Sequence, residues 1–139
     1  NKNQKLVLLK KAREKFKTFK NLKVAVLGLT FKPGTDDLRE APSLDNVQIL
    51  LEEGAEISAY DPIGEDNYKK IYPNINYTST PQEALKDADV CFIFTEWNEI
   101  KQISPKEYKK LMKNAVVYDG RNIYLLDEMK DIEYYSVGR

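Results

Sequence analysis

KVAVLGLTFKPGTDDLREAPS, residues 23 to 43, sets an apolar run against a charged loop and then the start of a second apolar pattern. Lys23 to Leu29, rich in valine and leucine and broken at Gly28, reads as a strand buried on both faces. PSLDNVQILLEEG, from Pro42, reads as a helix with Ser43 as N-cap, Val47, Leu50 and Leu51 on one face, and Gly54 as its stop. A strand-to-helix connection needs only a few turn residues. This one carries Lys32, Asp36, Asp37, Arg39 and Glu40, with Pro33 and Pro42 beside them, a composition suited to holding something charged.

The same alternation continues outward. AEISAYDP predicts the next strand, Glu65 to Ile71 a short helix, and INYTS an extended segment. Thr80-Pro81 opens a helix with Glu83 in capping-box position. DVCFIFTEW, Asp89 to Trp97, predicts a second strongly buried strand; Ser104-Pro105 starts another helix, and AVVYDGR another strand. A short helix near Leu125 to Lys130 and the strand IEYYSVG complete the pattern. Strands alternating with short helices imply right-handed crossovers. The fold class is therefore α/β: a Rossmann-like three-layer sandwich with a mostly parallel sheet. Ahead of it, residues 3 to 20 predict a helix, with Leu6, Leu9, Ala12, Phe16 and Phe19 at three- and four-residue steps. That helix fits either a cap on an independent domain or the tail of a longer connecting helix.

Composition narrows the chemistry. With 139 residues, 42% of them hydrophobic, the chain can fill one core without disulfides or metals. Histidine is absent, which removes any histidine triad, histidine metal site or histidine general base from this chain. The single cysteine, Cys91, lies in an apolar run, allows no internal bridge and fits a reducing, cytoplasmic compartment. The apolar runs fall well short of the roughly 18 residues a membrane span needs, so a soluble domain is expected. Lys2, Lys5, Lys10, Lys11, Arg13, Lys15, Lys17, Lys20 and Lys23 face only Glu14 in the first 23 residues, although the net charge is zero. This basic segment lacks the aromatic interleaving and motifs of nucleic-acid binding, and no nucleic-acid partner is expected.

In a sheet of this kind ligands sit outside the carboxyl ends of the strands. That edge holds Lys32, Asp36, Asp37 and Arg39 after the first strand, Asp61 after the second, Thr95, Glu96 and Trp97 after FIF, and Asp119 and Arg121 after VVY. Cations on two loops can clamp a phosphate, with the N-terminus of the helix after Ser43 adding donors. A dinucleotide fingerprint fails here: Phe31, Lys32 and Pro33 stand where the close approach to a pyrophosphate needs glycines. Gly34 opens no P-loop either. Plainer readings stand beside these. The charged loop can be a solvated turn with internal ion pairs, and Arg121 a surface partner of Asp119 or Asp127. Phe31 and Trp97 can be rim aromatics, Cys91 a buried hydrophobe, and Asp61 either a strand end or a ribose ligand.

KVAVLGLTFKPGTDDLREAPS, with YDP, TEW and DGRN at later strand ends, resembles the C-terminal domain of the UDP-glucose/GDP-mannose dehydrogenase family, and the likeness runs in order along the whole chain. The resemblance implies residues 1–21 as the end of a long central dimerisation helix and residues 22–139 as the nucleotide-sugar-binding domain. Phe31, Lys32 and Arg121 would face the sugar nucleotide, and Arg39 would reach NAD phosphate across a cleft. The family's enzymes oxidise the C6 alcohol of a nucleotide sugar twice with NAD, as homodimers. NAD is held mainly by an N-terminal domain, which also belongs, with the catalytic cysteine and lysine, to regions this chain does not match. No catalytic residue and no metal site are expected here. UDP-glucose leads as substrate, with UDP-N-acetylhexosamines and GDP-mannose behind it. A noncatalytic nucleotide-binding or assembly module is the alternative of another class.

Overall fold

The computed structural model describes residues 5–138. Helix α1 (Val7–Ala12) leads into β1 (Lys23–Leu27), α2 (Pro42–Glu52), β2 (Glu56–Tyr60), α3 (Glu65–Ile71) and β3 (Asn76–Tyr77). Then come α4 (Pro81–Leu85), β4 (Val90–Ile93), α5 (Asn98–Lys101), α6 (Pro105–Leu111), β5 (Val116–Asp119), a 3-10 turn (Leu126–Met129) and β6 (Glu133–Ser136). The strands form one six-stranded sheet in the order β3-β2-β1-β4-β5-β6. Every pairing is parallel, so the expected mostly parallel sheet is wholly so. This is the doubly wound order, with its switch point between β1 and β4.

Alternation along each central strand feeds two cores. Val24 and Val26 of β1 join Phe92, Phe94 and Tyr118 on the face covered by α1, α2 and α3. Ala25 and Leu27 point the other way, into a core with Cys91, Ile93, Ile100 and Tyr108. Burying a side chain of this size contributes about 1.5–3 kcal/mol, which is why these strands read as unbroken apolar runs. On the first face the rings of Phe94, Phe92, Tyr118 and Tyr135 form a row of near-parallel stacked pairs, with centroids 6.1, 5.5 and 4.8 Å apart.

Two local expectations are corrected. The helix predicted over residues 3–20 closes at Ala12; tight turns follow, with Glu14 N donating to Lys11 O and Lys15 N to Ala12 O. Phe19 has left the helical spiral to be wholly buried against Phe92. Tertiary burial there outweighs the continuing helical spacing. Residues 3 and 4 lie outside the described residues. Nor is Ser43 the cap of α2: Ala41 holds that position, Pro42 starts the helix, and the buried Ser43 hydroxyl donates to Leu29 O at 2.7 Å. Thr80 caps α4 as expected, its side chain accepting from Glu83 N, while the full capping box forms at Ser104 and Glu107, where only a helix start was expected. Among the described residues no helix is long and apolar enough to cross a membrane.

Candidate functional site

The loop after β1 is pinned at its root. Gly28 has φ +88°, and a Cβ there would lie 2.5 Å from Thr95 Cβ and 2.6 Å from Thr95 N. Only glycine allows β1 and β4 to come this close at the switch point. Thr95 Oγ1 adds a 2.7 Å hydrogen bond to Thr30 O. The crevice that receives a dinucleotide in other sheets of this order is thus closed by the protein itself.

Asp61, at the end of β2, completes the closure. Its Oδ2 accepts from Leu29 N (2.8 Å), Thr30 N (3.1 Å), Thr30 Oγ1 (3.3 Å) and Trp97 Nε1 (3.0 Å). Its Oδ1 accepts from Ile63 N (3.0 Å) and Gly64 N (2.7 Å). The carboxylate is almost wholly buried, and backbone N–H groups of the first strand-to-helix turn, donors that bind pyrophosphate elsewhere, are spent on it. Asp61 is therefore an internal anion and not the ribose ligand entertained from sequence. Trp97 serves the same network.

Beyond this root the charged loop folds on itself. Phe31 N donates to Asp37 O at 3.1 Å. Asp37 Oδ1 accepts from Arg39 N at 2.9 Å, and the Arg39 guanidinium grips both carboxylate oxygens at 3.1 and 3.0 Å. These hydrogen bonds, with smaller help from the Lys32 charge, hold the Asp37 carboxyl down at about 2. The Arg39 side chain is nonetheless 89% exposed, and Phe31 and Lys32 are exposed as well. An internal ion pair and an outward-facing cation coexist on one loop.

Arg121 follows β5. Buried Asp119 shapes its turn: Oδ1 accepts from Arg121 N at 2.8 Å, and Oδ2 from Ile123 N (2.8 Å) and Tyr134 OH (2.6 Å). The guanidinium reaches back to the segment after β4, where Nη2 donates to Glu96 Oε2 at 2.8 Å. Burial pushes the Glu96 carboxyl up, but the Arg121 hydrogen bond and a backbone donor outweigh it and leave the group below its ordinary value. Among the described residues Glu96 Oε1 is buried without a partner. The pairing expected with Asp119 or Asp127 is replaced by this one; Asp127 pairs with Lys130.

Beside Arg121 opens a cavity of about 340 Å³, walled by Lys5, Leu8, Pro42, Phe94 and Gly120 among others. Gly120 belongs there because a Cβ would meet Leu8 Cδ1 at 2.9 Å and Ile93 O at 3.1 Å, so the glycine lets α1 sit down on the strand ends. Of the residues expected at the site, Arg121 lines this cavity; Phe31, Lys32 and Arg39 stand on the loop outside it. Lys5 and Leu8 went unread, because nothing in a run of spaced lysines distinguishes the one that folds onto the sheet edge. Cys91 is fully buried in β4, and burial, with Asp119 nearby, pushes its thiol well up, so it is no nucleophile. Among the described residues no group of three or more His, Cys, Asp or Glu side chains could hold a metal ion.

Strand order and a charged carboxyl edge place the chain in the class of Rossmann-like α/β domains. Residues 25–126 match the UDP binding domain of the UDP-glucose/GDP-mannose dehydrogenase family, and the chain belongs to that family. The UDP-glucose 6-dehydrogenase YwqF of Bacillus subtilis is 43% identical over all of this chain and 32% of its own length. The UDP-glucose 6-dehydrogenase of Rhizobium meliloti is 43% identical over 84% of the chain and 27% of its own length. A UDP-glucose dehydrogenase structure from the archaeon Pyrobaculum islandicum superposes with a TM-score of 0.80 at 26% identity, covering 98% of this chain and 29% of that one. The chain thus spans about a third of the length of the curated relatives it matches.

Proposed function

We propose that this chain is the C-terminal nucleotide-sugar-binding domain of an NAD-dependent dehydrogenase of the UDP-glucose 6-dehydrogenase type, working in the cytoplasm as a homodimer. The observation that carries the reading is a pair of cationic loops on the carboxyl edge, one bearing Lys32 and the other Arg121, in a chain whose residues 25–126 match a UDP binding domain. In this reading residues 1–21 end the central segment, whose helix closes at Ala12, Phe31 and Lys32 face the sugar nucleotide, and Arg121 contacts it near the diphosphate or sugar. A cation on each loop can fix both ends of a diphosphate, and fixing an inert part of a substrate supports the chemistry at a remote carbon.

NAD does not fit the switch point of this sheet, since Asp61 already occupies the donors that would hold its pyrophosphate. The exposed Arg39 is the group of this chain suited to meet a dinucleotide phosphate presented by another domain; its grip on Asp37 would be exchanged for that anion. Hydride acceptance is the chemistry NAD supplies when bound. The thiol nucleophile belongs to a region outside this chain, so the chain alone is expected to bind and not to turn over.

The test is an amide NMR titration of the chain with UDP, UDP-glucose and GDP. Saturable shifts in Thr30–Arg39 and the Arg121 turn, stronger for the uridine ligands, are expected. Equal response to GDP would refute the uridine assignment, and no response in either loop would refute the domain as a half-site. In a full-length enzyme, Lys32→Ala and Arg121→Ala are each expected to impair turnover with the fold intact.

A further inference from the structure

We propose that Lys5 is a ligand-binding residue, which with Arg121 forms a two-cation clamp for the diphosphate of a nucleotide ligand in the cavity between α1 and the carboxyl ends of β4 and β5. The proposal rests on the reading of Arg121 as a ligand-facing cation and extends the site to an element outside the charged loop.

Three observations carry it. Lys5 and Arg121 wall the same cavity of about 340 Å³, from opposite ends of the sequence. The Lys5 side chain is mostly covered, yet its ion partner, Glu40 at 3.0 Å, is 77% exposed and sits on the loop after β1. A pair with so exposed a carboxylate is weak and readily exchanged for a more highly charged anion. Finally, Lys5 is held in place: Asn46 Nδ2 donates to Lys5 O at 2.8 Å and to Pro42 O at 2.7 Å, tying the start of α1 to the first residue of α2. Among the described residues the Asn46 Oδ1 is buried without a partner. Arg121 is fixed in the same manner by Asp119. Two cations with anchored backbones form a preorganised site for a diphosphate, in which ligand oxygens replace the exposed Glu40 at Lys5 and join Glu96 at Arg121.

The experiment titrates the chain with inorganic pyrophosphate and with UDP, following amides of Leu8, Gly120 and Arg121 by NMR in wild type, Lys5→Gln, Lys5→Arg, Glu40→Gln and Arg121→Gln. Losing one charge-assisted contact at a partly exposed site is expected to weaken both ligands about tenfold in Lys5→Gln and in Arg121→Gln. Lys5→Arg should retain binding. Glu40→Gln should tighten it by a few-fold, because a competing anion is gone; a Lys5–Glu40 pair with a merely structural role predicts that Lys5→Gln and Glu40→Gln behave alike. Wild-type affinity in Lys5→Gln beside weakened Arg121→Gln overturns the clamp and leaves the proposed function standing. Shifts confined to Thr30–Arg39 do the same. Silence at both the cavity and that loop overturns both.

Discussion

Asp61→Asn tests the claim that the switch point is closed by an internal anion. The carboxylate accepts four donors on Oδ2 and two on Oδ1. An asparagine can keep its oxygen toward only one set. If it faces Leu29, Thr30 and Trp97, its own NH₂ group points at Ile63 N and Gly64 N, two donors left without an acceptor. A buried polar group stripped of its partner costs about 1–3 kcal/mol, so the substitution should cost about 4 kcal/mol, a large share of a domain's typical 5–15 kcal/mol. Urea unfolding of wild type and variant, with unchanged m-value, measures it. Asp61→Ala should cost at least as much, and formate should stabilise that variant more than wild type by refilling the anion position. A loss below 1 kcal/mol in Asp61→Asn, with no formate effect in Asp61→Ala, would refute the reasoning and return the β1 turn's N–H groups to the list of ligand donors.

Other outcomes follow from single contacts. Gly28→Ala combines a left-handed backbone with a Cβ driven into Thr95, 2.5 Å from its Cβ, and should destabilise by about 3 kcal/mol or more in the same unfolding assay. Cys91→Ser should cost about 1–3 kcal/mol by burying a hydroxyl among apolar neighbours, with ligand affinity unchanged; native Cys91 should resist a thiol reagent until the chain unfolds, and rapid labelling would contradict its burial. Arg39→Gln should let Asp37 rise from about 2 toward 3.8, followed by carboxyl-carbon NMR. Because the folded value is the lower one, what Asp37 adds to stability is present above pH 3.8 and is lost as pH falls toward 2; an unmoved titration in the variant would show that Arg39 is not the cause.

The central strands were legible because burial on both faces leaves apolar runs that few other contexts produce. Val24 to Leu27 and Val90 to Ile93 are neighbours in the sheet and are wholly buried or nearly so. Strand ends are shorter than the composition suggests: Thr95 to Trp97 continue the pattern of β4, yet once the ladder has stopped Thr95 turns to Thr30, Glu96 to Arg121 and Trp97 to Asp61. The α1 region misled for a related reason. Phe16 and Phe19 keep helical spacing, but a chain that must reach β1 gains more by laying Phe19 on Phe92 than by another helical turn. At the site, the bulk of Phe31 and Lys32 speaks against a glycine-rich phosphate turn. Which group replaces the phosphate was hidden, because an Asp-Pro pair closing β2 has the same sequence whether its carboxylate turns outward to a ribose or inward to the β1 turn. Lys5 was hidden more deeply: it meets Glu40 and Arg121's cavity only through chain segments 35 and more residues away.

The inward turn of Asp61 constrains what this domain can do. In a sheet of this strand order the switch point offers a ligand the first turn's N–H groups and a helix N-terminus. Here Leu29 N and Thr30 N are committed to Asp61, and the buried Ser43 side chain next to the start of α2 is committed to Leu29 O. A charged ligand must therefore be met by side chains instead of backbone, and the cations available are those that project past the closed crevice: Lys32 and Arg39 on the β1 loop, Arg121 after β5, and Lys5 from α1. Side-chain cations on separate loops define a rim and leave its far wall open. Such a rim suits a ligand shared with another body.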